Sequence, residues 1–494
     1  MPPLQLCMIL YVLNHPYHFE MENLCRVFYP GERLRVVRAE NTPRPLRGHP
    51  PLKRGAVGIV AITRMVKGNV KVNLFIGKRR LSVTRAPGGN PELTMARMLF
   101  TLLRRATGYM PPWGLLTGVR PSKLMLRLRR DKGIARAERY FRNALWVSPE
   151  KTDLAIAVAQ AEEPILARTT LRSFSLYVSI PFCPSRCSYC SFVSHTIERL
   201  SAQKLIPAYV ERLCEEIACT GQIAGELGLR LASVYIGGGT PGILSPGQLD
   251  QLCGALGESF ECPGEFTVEA GRPDVLAPEK LRVLRQYGVD RLCVNPQSLD
   301  DAVLAQAGRR HTAAQFYDAY AMAREAGFVL NCDLIAGLPG DTPTGFEQSL
   351  RGIIALRPEN ITVHTLALKR SAALEEIYGA ESCAEMLGIA SHLLPGAGYA
   401  PYYMYRQSRS LGNLENVGWS LPGRECRYNI DMMEESHTIL ACGAGGVTKL
   451  KAPGGDYLER VFSLKYPYEY LARFGELLAR KERIKAFYGA YNMS

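Results

Sequence analysis

Residues 174–192 read FSLYVSIPFCPSRCSYCSF. An apolar run that suits a buried strand ends at a proline, and the loop behind it carries Cys183, Cys187 and Cys190 in the spacing C-x3-C-x2-C. A structural zinc site takes four ligands, usually as two close pairs. Here three thiols crowd into eight residues, and the only near candidate for a fourth ligand is His195. Three thiolates on one loop suit a [4Fe–4S] cluster with three irons held and the fourth open.

The strand-then-loop pattern repeats downstream. Short apolar runs at 176–180, 233–237, 265–269, 291–294, 329–335 and 360–366 alternate with helical patterns at 206–224, 246–259, 278–287, 313–326 and 343–356. Ser245 and Pro246 with Gln248 sign one helix start: an N-cap, a proline at the first helical position and a capping-box partner. Six β-α units in series with apolar strands predict a parallel sheet. Six is too few for the closed eight-stranded barrel. The expected fold class is therefore α/β, with a partial (βα)6 barrel as its core. Ahead of it stand strand-like runs at 5–13, 56–65 and 71–76, Pro/Gly-rich breaks at 42–51 and 86–91, and helices at 92–107 and 121–130. These predict a small α/β or α+β domain over 1–165, then the core over 174–370 and a mostly helical region over 371–494. Within the first domain WGLLTGVRP (113–121) reads as a packed connection before a helix.

In such sheets chemistry gathers at the C-terminal ends of the strands. The second strand ends in Gly237, Gly238, Gly239 and Thr240, where glycines let backbone approach a ligand closely. The third ends at Glu269, the fourth at Gln297 and the fifth at Asp333. One polar residue at a strand mouth is ordinarily a turn former. Three, added to a glycine turn and the Cys loop, predict a ligand-facing rim. Arg309, taken by itself, reads as a solvent-facing residue near a helix start.

The Cys spacing, with an aromatic before the third Cys, resembles the radical S-adenosylmethionine superfamily. That resemblance implies a [4Fe–4S] cluster on Cys183, Cys187 and Cys190 whose open iron takes S-adenosyl-L-methionine, reductively cleaved to a 5′-deoxyadenosyl radical. The strings YVSIPFCPSRCSYCSF, GGGTP, TVEAGRPD, NPQS, GRRH and NCDLIAGLPG look like the oxygen-independent coproporphyrinogen III oxidase group. PYYMYRQ (401–407), GNLENVGW (412–419) and YNIDMMEESHTILACGAGGVTK (428–449), together with WGLLTGVRP, resemble its HemZ-type branch. By this resemblance Tyr177 lies beside the cluster and Tyr189 near the adenine. Gly238, Gly239 and Thr240 meet the methionine amino end, while Glu269, Gln297 and Arg309 contact polar groups of the cofactor. Asp333 takes the ribose hydroxyls and Ala367 lines the adenine end. The implied reaction is oxidative decarboxylation of coproporphyrinogen III to protoporphyrinogen IX, two propionates becoming vinyls. Its electrons come from a one-electron donor of flavodoxin or ferredoxin type. The decarboxylating members carry a fourth Cys where this chain has Phe192, and a His where it has Ser179. The Cys-x-Phe ending is shared with the haem-chaperone branch, which makes haem binding without turnover the rival expectation; a radical enzyme acting on another substrate is a further one.

The 494 residues carry 60 Lys+Arg against 46 Asp+Glu, a net charge of +14. Residues 1–172 hold 30 basic and 11 acidic side chains, a balance of +19, and the remaining 322 hold 30 and 35, a balance of −5. The basic surplus thus lies in front of the Cys loop. Nucleic acid is disfavoured as a partner, since the front domain lacks the aromatic interleaving of a stacking platform. An anionic porphyrinogen needs cationic contacts, Arg best because its fork grips carboxylate bidentately. The candidates are Lys369, Arg370, Arg272 and Arg406. Neither a cleavable leader nor an apolar run long enough to span a bilayer is evident, so the expected location is the cytoplasm.

Overall fold

β-Branched and aromatic runs punctuated by glycine turns build the front of the chain. The computed structural model describes residues 7–30, 32–39, 58–190, 194–198, 200–367, 379–407 and 410–492. Two compact units emerge, one formed mainly by residues up to 121 and 127–155, the other by 122–126 and most of the chain from 156 onward. In the first unit β1 (Cys7–Leu13), β2 (Arg33–Ala39), β3 (Ile59–Val66), β4 (Asn69–Ile76) and β5 (Arg79–Arg85) form one sheet in the order β2-β1-β3-β4-β5. β1 lies parallel to β2 and β3, and β3-β4-β5 is an antiparallel meander. Lys67 and Gly68, both at positive φ, make the two-residue turn that matches strand twist between β3 and β4. The WGLLTGVRP turn is tightly packed, as read. Trp113 is buried, and a Cβ on Gly114 would lie 2.2 Å from the Leu145 carbonyl oxygen.

The second unit carries the expected parallel strands. They are β6 (Ser173–Ile180), β9 (Arg230–Gly238), β10 (Phe266–Gly271), β11 (Arg291–Val294), β12 (Val329–Ala336) and β13 (Asn360–Thr365). Each pairs in parallel with its sequence neighbour, which is the topology the alternating pattern called for. The capping box forms as read: Ser245 Oγ accepts from the Gln248 amide at 3.2 Å, and Gln248 Oε1 accepts from the Ser245 amide at 2.9 Å. A two-residue ladder, β7 (Phe182–Cys183) with β8 (His195–Thr196), props the Cys loop.

The region after 371 is helix-rich, with Ala380–Gly396, Arg427–Glu434, Pro467–Ala472 and Phe474–Gly489. It also supplies strands that periodicity did not mark. They are β14 (Ala400–Arg406), β15 (Glu415–Ser420), β16 (Thr438–Cys442), β17 (Val447–Lys451) and β18 (Leu458–Phe462). β15 and β14 extend the sheet beyond β13, and β16, β17 and β18 extend it beyond β6. Among the described residues eleven strands result, with β14 and β18 at the two edges, so the barrel is open. No helix among the described residues is long and apolar enough to cross a membrane.

Candidate functional site

Strand parity builds the site. Successive side chains of a strand face opposite ways, and alternate residues of β9 to β13 face a common cavity, to which β6 adds none. These are Tyr235 on β9; Thr267 and Glu269 on β10; Arg291 and Cys293 on β11; Asn331, Asp333 and Ile335 on β12; and Thr362 and His364 on β13. The cavity measures about 350 Å³. Its rim is Cys183, Cys187, Cys190, Tyr189, Gly238, Gly239, Thr240, Gln297, Arg309 and Ala367. Of the residues expected to hold the cluster or S-adenosylmethionine, Tyr177 does not line it. Its ring lies behind, in a stack with Tyr235 and Tyr428 whose centroids are 6.4 and 6.3 Å from its own.

The Cys loop is held at both ends. Cys183 is 9% exposed, and Thr240 Oγ1 donates to its sulfur at 3.5 Å. Burial pushes its thiol pKa up. The Ser188 amide donates to the Ala307 carbonyl at 3.1 Å, and Arg309 reaches back to the same loop. Arg309 is 8% exposed, contrary to the solvent-facing position that its sequence neighbourhood suggests. Its guanidinium donates to the Asn295 carbonyl at 2.7 Å and the Tyr189 hydroxyl at 3.0 Å, and lies 4.0 Å from Cys187 Sγ. His311 beside it is pushed down to about 3 by burial and the adjacent guanidinium, so it is neutral and accepts from Arg309 Nε through Nδ1.

Among the described residues no three His, Cys, Asp or Glu side chains converge on the position of one ion. Three thiols on one loop suit a four-iron cube, which takes thiolates at separate corners. Two further features fit a cluster with S-adenosylmethionine over it. A Cβ on Gly239 would come within 2.5 Å of the Phe182 carbonyl oxygen and 2.9 Å of Cys183 Sγ, so backbone closes directly on the cluster loop. Gln297 sits at φ 69, a strained conformation for a residue with a side chain, and its buried Oε1 has no partner among the described residues.

Glu269 and Asp333 supply the acidic wall. Tyr235 donates its hydroxyl to Glu269 Oε1 at 2.5 Å. Burial raises Glu269 to about 7, with Asp333 adding repulsion, while the Tyr235 hydrogen bond and His364 oppose the rise. Asn331 Nδ2 donates to Asp333 Oδ1 at 2.8 Å, and His364 Nε2 stands 3.6 Å from Asp333 Oδ2. Tyr235, Asn331 and His364 escaped the sequence reading, although each lies two residues from a cavity-facing position or in register with one. Counting back by two from Gly237 and Asp333 would have found the first two.

The expected carboxylate-binding residues fare differently. Arg272 lines the cavity, but its guanidinium is engaged by Asp274 at 2.6 Å and by Ser185. Arg406 is buried on β14 and does not line the cavity. Lys369, Arg370 and Phe192 lie outside the described residues.

The sequence profile of the Radical SAM superfamily matches residues 177–353. The chain is similar to the oxygen-independent coproporphyrinogen-III oxidase-like protein HemZ of Bacillus subtilis, 35% identical over 395 residues, 77% of this chain and 78% of that protein. It is also similar to the heme chaperone HemW of the same organism, 35% identical over 308 residues, 60% of this chain and 77% of that protein. In fold it resembles the solved coproporphyrinogen III oxidase HemN of Escherichia coli, a radical SAM enzyme, with a TM-score of 0.50 at 23% identity, covering 65% of this chain and 73% of that one.

Proposed function

Because the chain belongs to the oxygen-independent coproporphyrinogen-III oxidase-like family of HemZ, we propose that it decarboxylates coproporphyrinogen III to protoporphyrinogen IX without oxygen, in porphyrin biosynthesis. The observation that carries this reading is the single cavity shared by the three-Cys loop and the polar strand ends. Cys183, Cys187 and Cys190 would hold the [4Fe–4S] cluster, and Gly238, Gly239, Thr240, Glu269, Gln297, Arg309, Asp333 and Ala367 the S-adenosylmethionine. Bound there, the pair supplies hydrogen-atom abstraction from an unactivated propionate carbon. The chain's own residues do the rest. Glu269 offers a negative charge to the cationic methionyl end. Asp333, oriented by Asn331, accepts hydrogen bonds from ribose hydroxyls. The Gln297 amide oxygen accepts a donor from the ligand.

Glu269 makes the binding pH-dependent. In the ligand-free chain its carboxyl is half protonated near pH 7, and a cationic ligand favours the carboxylate. Affinity for S-adenosylmethionine is expected to rise by up to about tenfold per pH unit below pH 7 and to level off above it. The opposite sign holds for the ligand-free fold: a raised carboxyl pKa stabilises below about pH 4.5, and that contribution is lost as pH climbs through 7. Calorimetric titration from pH 5.5 to 8.5, with Glu269→Gln as the flat reference, checks both the slope and its owner.

The deciding experiment reconstitutes the cluster anaerobically and adds dithionite, S-adenosylmethionine and coproporphyrinogen III. Protoporphyrinogen appearing with 5′-deoxyadenosine is the expected result. The comparable similarity to HemW favours one rival, a haem-binding protein without turnover. Stoichiometric haem binding with no vinyl product would establish that rival and exclude decarboxylation.

A further inference from the structure

Outside the cavity, a chain of buried polar groups runs from the C-terminal helix to the root of the Cys loop. Lys481, on Phe474–Gly489, is 5% exposed; its ammonium lies 2.8 Å from Glu216 Oε1 and donates to the Ala441 carbonyl at 2.7 Å. Glu216, on the helix Leu200–Glu226, is fully buried. Its Oε2 accepts from the Tyr470 hydroxyl and from the Gly443 amide, each at 2.7 Å. Two turns earlier on that helix, Tyr209 donates to the Ser179 carbonyl at 2.8 Å and accepts from the Ala444 amide at 2.8 Å. Ser179 Oγ closes the circuit by donating to the Ala444 carbonyl at 2.8 Å.

This circuit grips the chain four residues before Cys183. The Tyr209 ring also meets Phe182 edge-on, with centroids 5.2 Å apart. The neighbouring carbonyls of Ile180 and Phe182 accept from Gly239 and Thr240, each at 2.8 Å. The loop between β16 and β17 fits closely enough that a Cβ on Gly443, at φ 96, would stand 2.5 Å from the Ser179 carbonyl oxygen and 2.7 Å from the Tyr209 hydroxyl. A buried ion pair adds little net stability, because desolvation offsets its attraction. What it adds is direction. Glu216 keeps its ion pair and both donors to Oε2 only when the C-terminal helices, the Gly443 loop and the long helix are all in one arrangement.

We propose that Lys481, Glu216 and Tyr209 are positioning residues of a clamp that sets where Cys183 presents its thiolate, so that the C-terminal helix tunes the cluster from outside the cavity. The proposal rests on the cluster assignment and not on the identity of the substrate.

The test compares wild type with Tyr209→Phe, Lys481→Met and, as a control, Lys485→Ala, whose exposed ion pair with Glu226 lies outside the circuit. After anaerobic reconstitution, iron per chain, the electron paramagnetic resonance of the reduced cluster, iron release to a chelator and thermal melting are measured. Tyr209→Phe removes one hydroxyl and leaves the Ser179 carbonyl and Ala444 amide short of a partner. It is expected to release iron about tenfold faster with a shifted resonance spectrum, while its melting falls by only a few degrees. Lys481→Met is expected to move the same readouts further, and Lys485→Ala to move none. An unchanged spectrum and release rate in Tyr209→Phe would overturn the clamp even if the melting temperature fell, since a purely structural role moves melting alone. A wild-type chain that takes up no cluster removes the cluster assignment itself, and the clamp with it; that failure is distinct from a loaded wild type beside an unaltered variant.

Discussion

Cys187→Ser is expected to leave a folded chain that cannot keep its cluster. Cys187 is part-exposed on the loop, and its neighbours there hold through backbone: the Ser188 amide to Ala307, and the Cys190 amide to the Cys187 carbonyl at 3.2 Å. Replacing sulfur by a hydroxyl disturbs none of these bonds. It does exchange a soft thiolate for an alcohol that stays protonated and binds iron weakly. The Arg309 guanidinium beside the sulfur then faces a neutral group. After reconstitution iron should fall from about four per chain to a small fraction of that, and S-adenosylmethionine cleavage by about a thousandfold or more. Melting of the cluster-free proteins should coincide. A Cys187→Ser chain that still assembles an intact cluster and cleaves S-adenosylmethionine would overturn the site.

The second large effect is expected from one added methyl group. Gly239→Ala places a Cβ 2.5 Å from the Phe182 carbonyl oxygen, 3.0 Å from that of Ile180 and 2.9 Å from Cys183 Sγ. Two of these neighbours are backbone and the third is a proposed iron ligand, so none can swing aside as a flexible side chain would. Overpacking of this kind costs about 1–3 kcal/mol, and relief comes only by moving Phe182 and Cys183 away from β9. The expected outcome is lower stability to urea together with poor cluster loading. Gly247→Ala, where nothing lies within 4 Å of the added carbon, should change neither. A Gly239→Ala protein of wild-type stability and full iron content would mean that the backbone does not close on the loop as described.

Local chemistry explains how much of this was legible beforehand. The six parallel strands and the helices between them could be read because each apolar run is short and several helix starts are signed, as at Ser245 and Thr312. β2 and β5 could not, because Arg33, Arg35, Arg79 and Arg80 break the apolar pattern on exposed edge strands. The five strands of the C-terminal region were missed for a related reason. β16 is buried along its whole length, and β18 is part-exposed with an exposed Phe462 at its end, so neither shows clean alternation.

At the site the division is sharper. Residue type and spacing alone marked Cys183, Cys187 and Cys190, the glycine turn after β9, and Glu269, Gln297 and Asp333 as strand mouths, because each signal is set by the residues immediately around it in the chain. Burial and long-range partners belonged to the tertiary structure. Arg309 passes from a solvent residue to a buried brace of the Cys loop only when β11, Asn295 and Tyr189 surround it. Arg272 is taken up by Asp274, and Arg406 stands off the cavity. The Lys481–Glu216 pair joins positions 265 residues apart, and its second acceptor bond comes from a loop on another strand. Coulomb attraction, desolvation and hydrogen-bond geometry act through space. A one-dimensional pattern can name the groups able to take part, while only folding decides which of them meet.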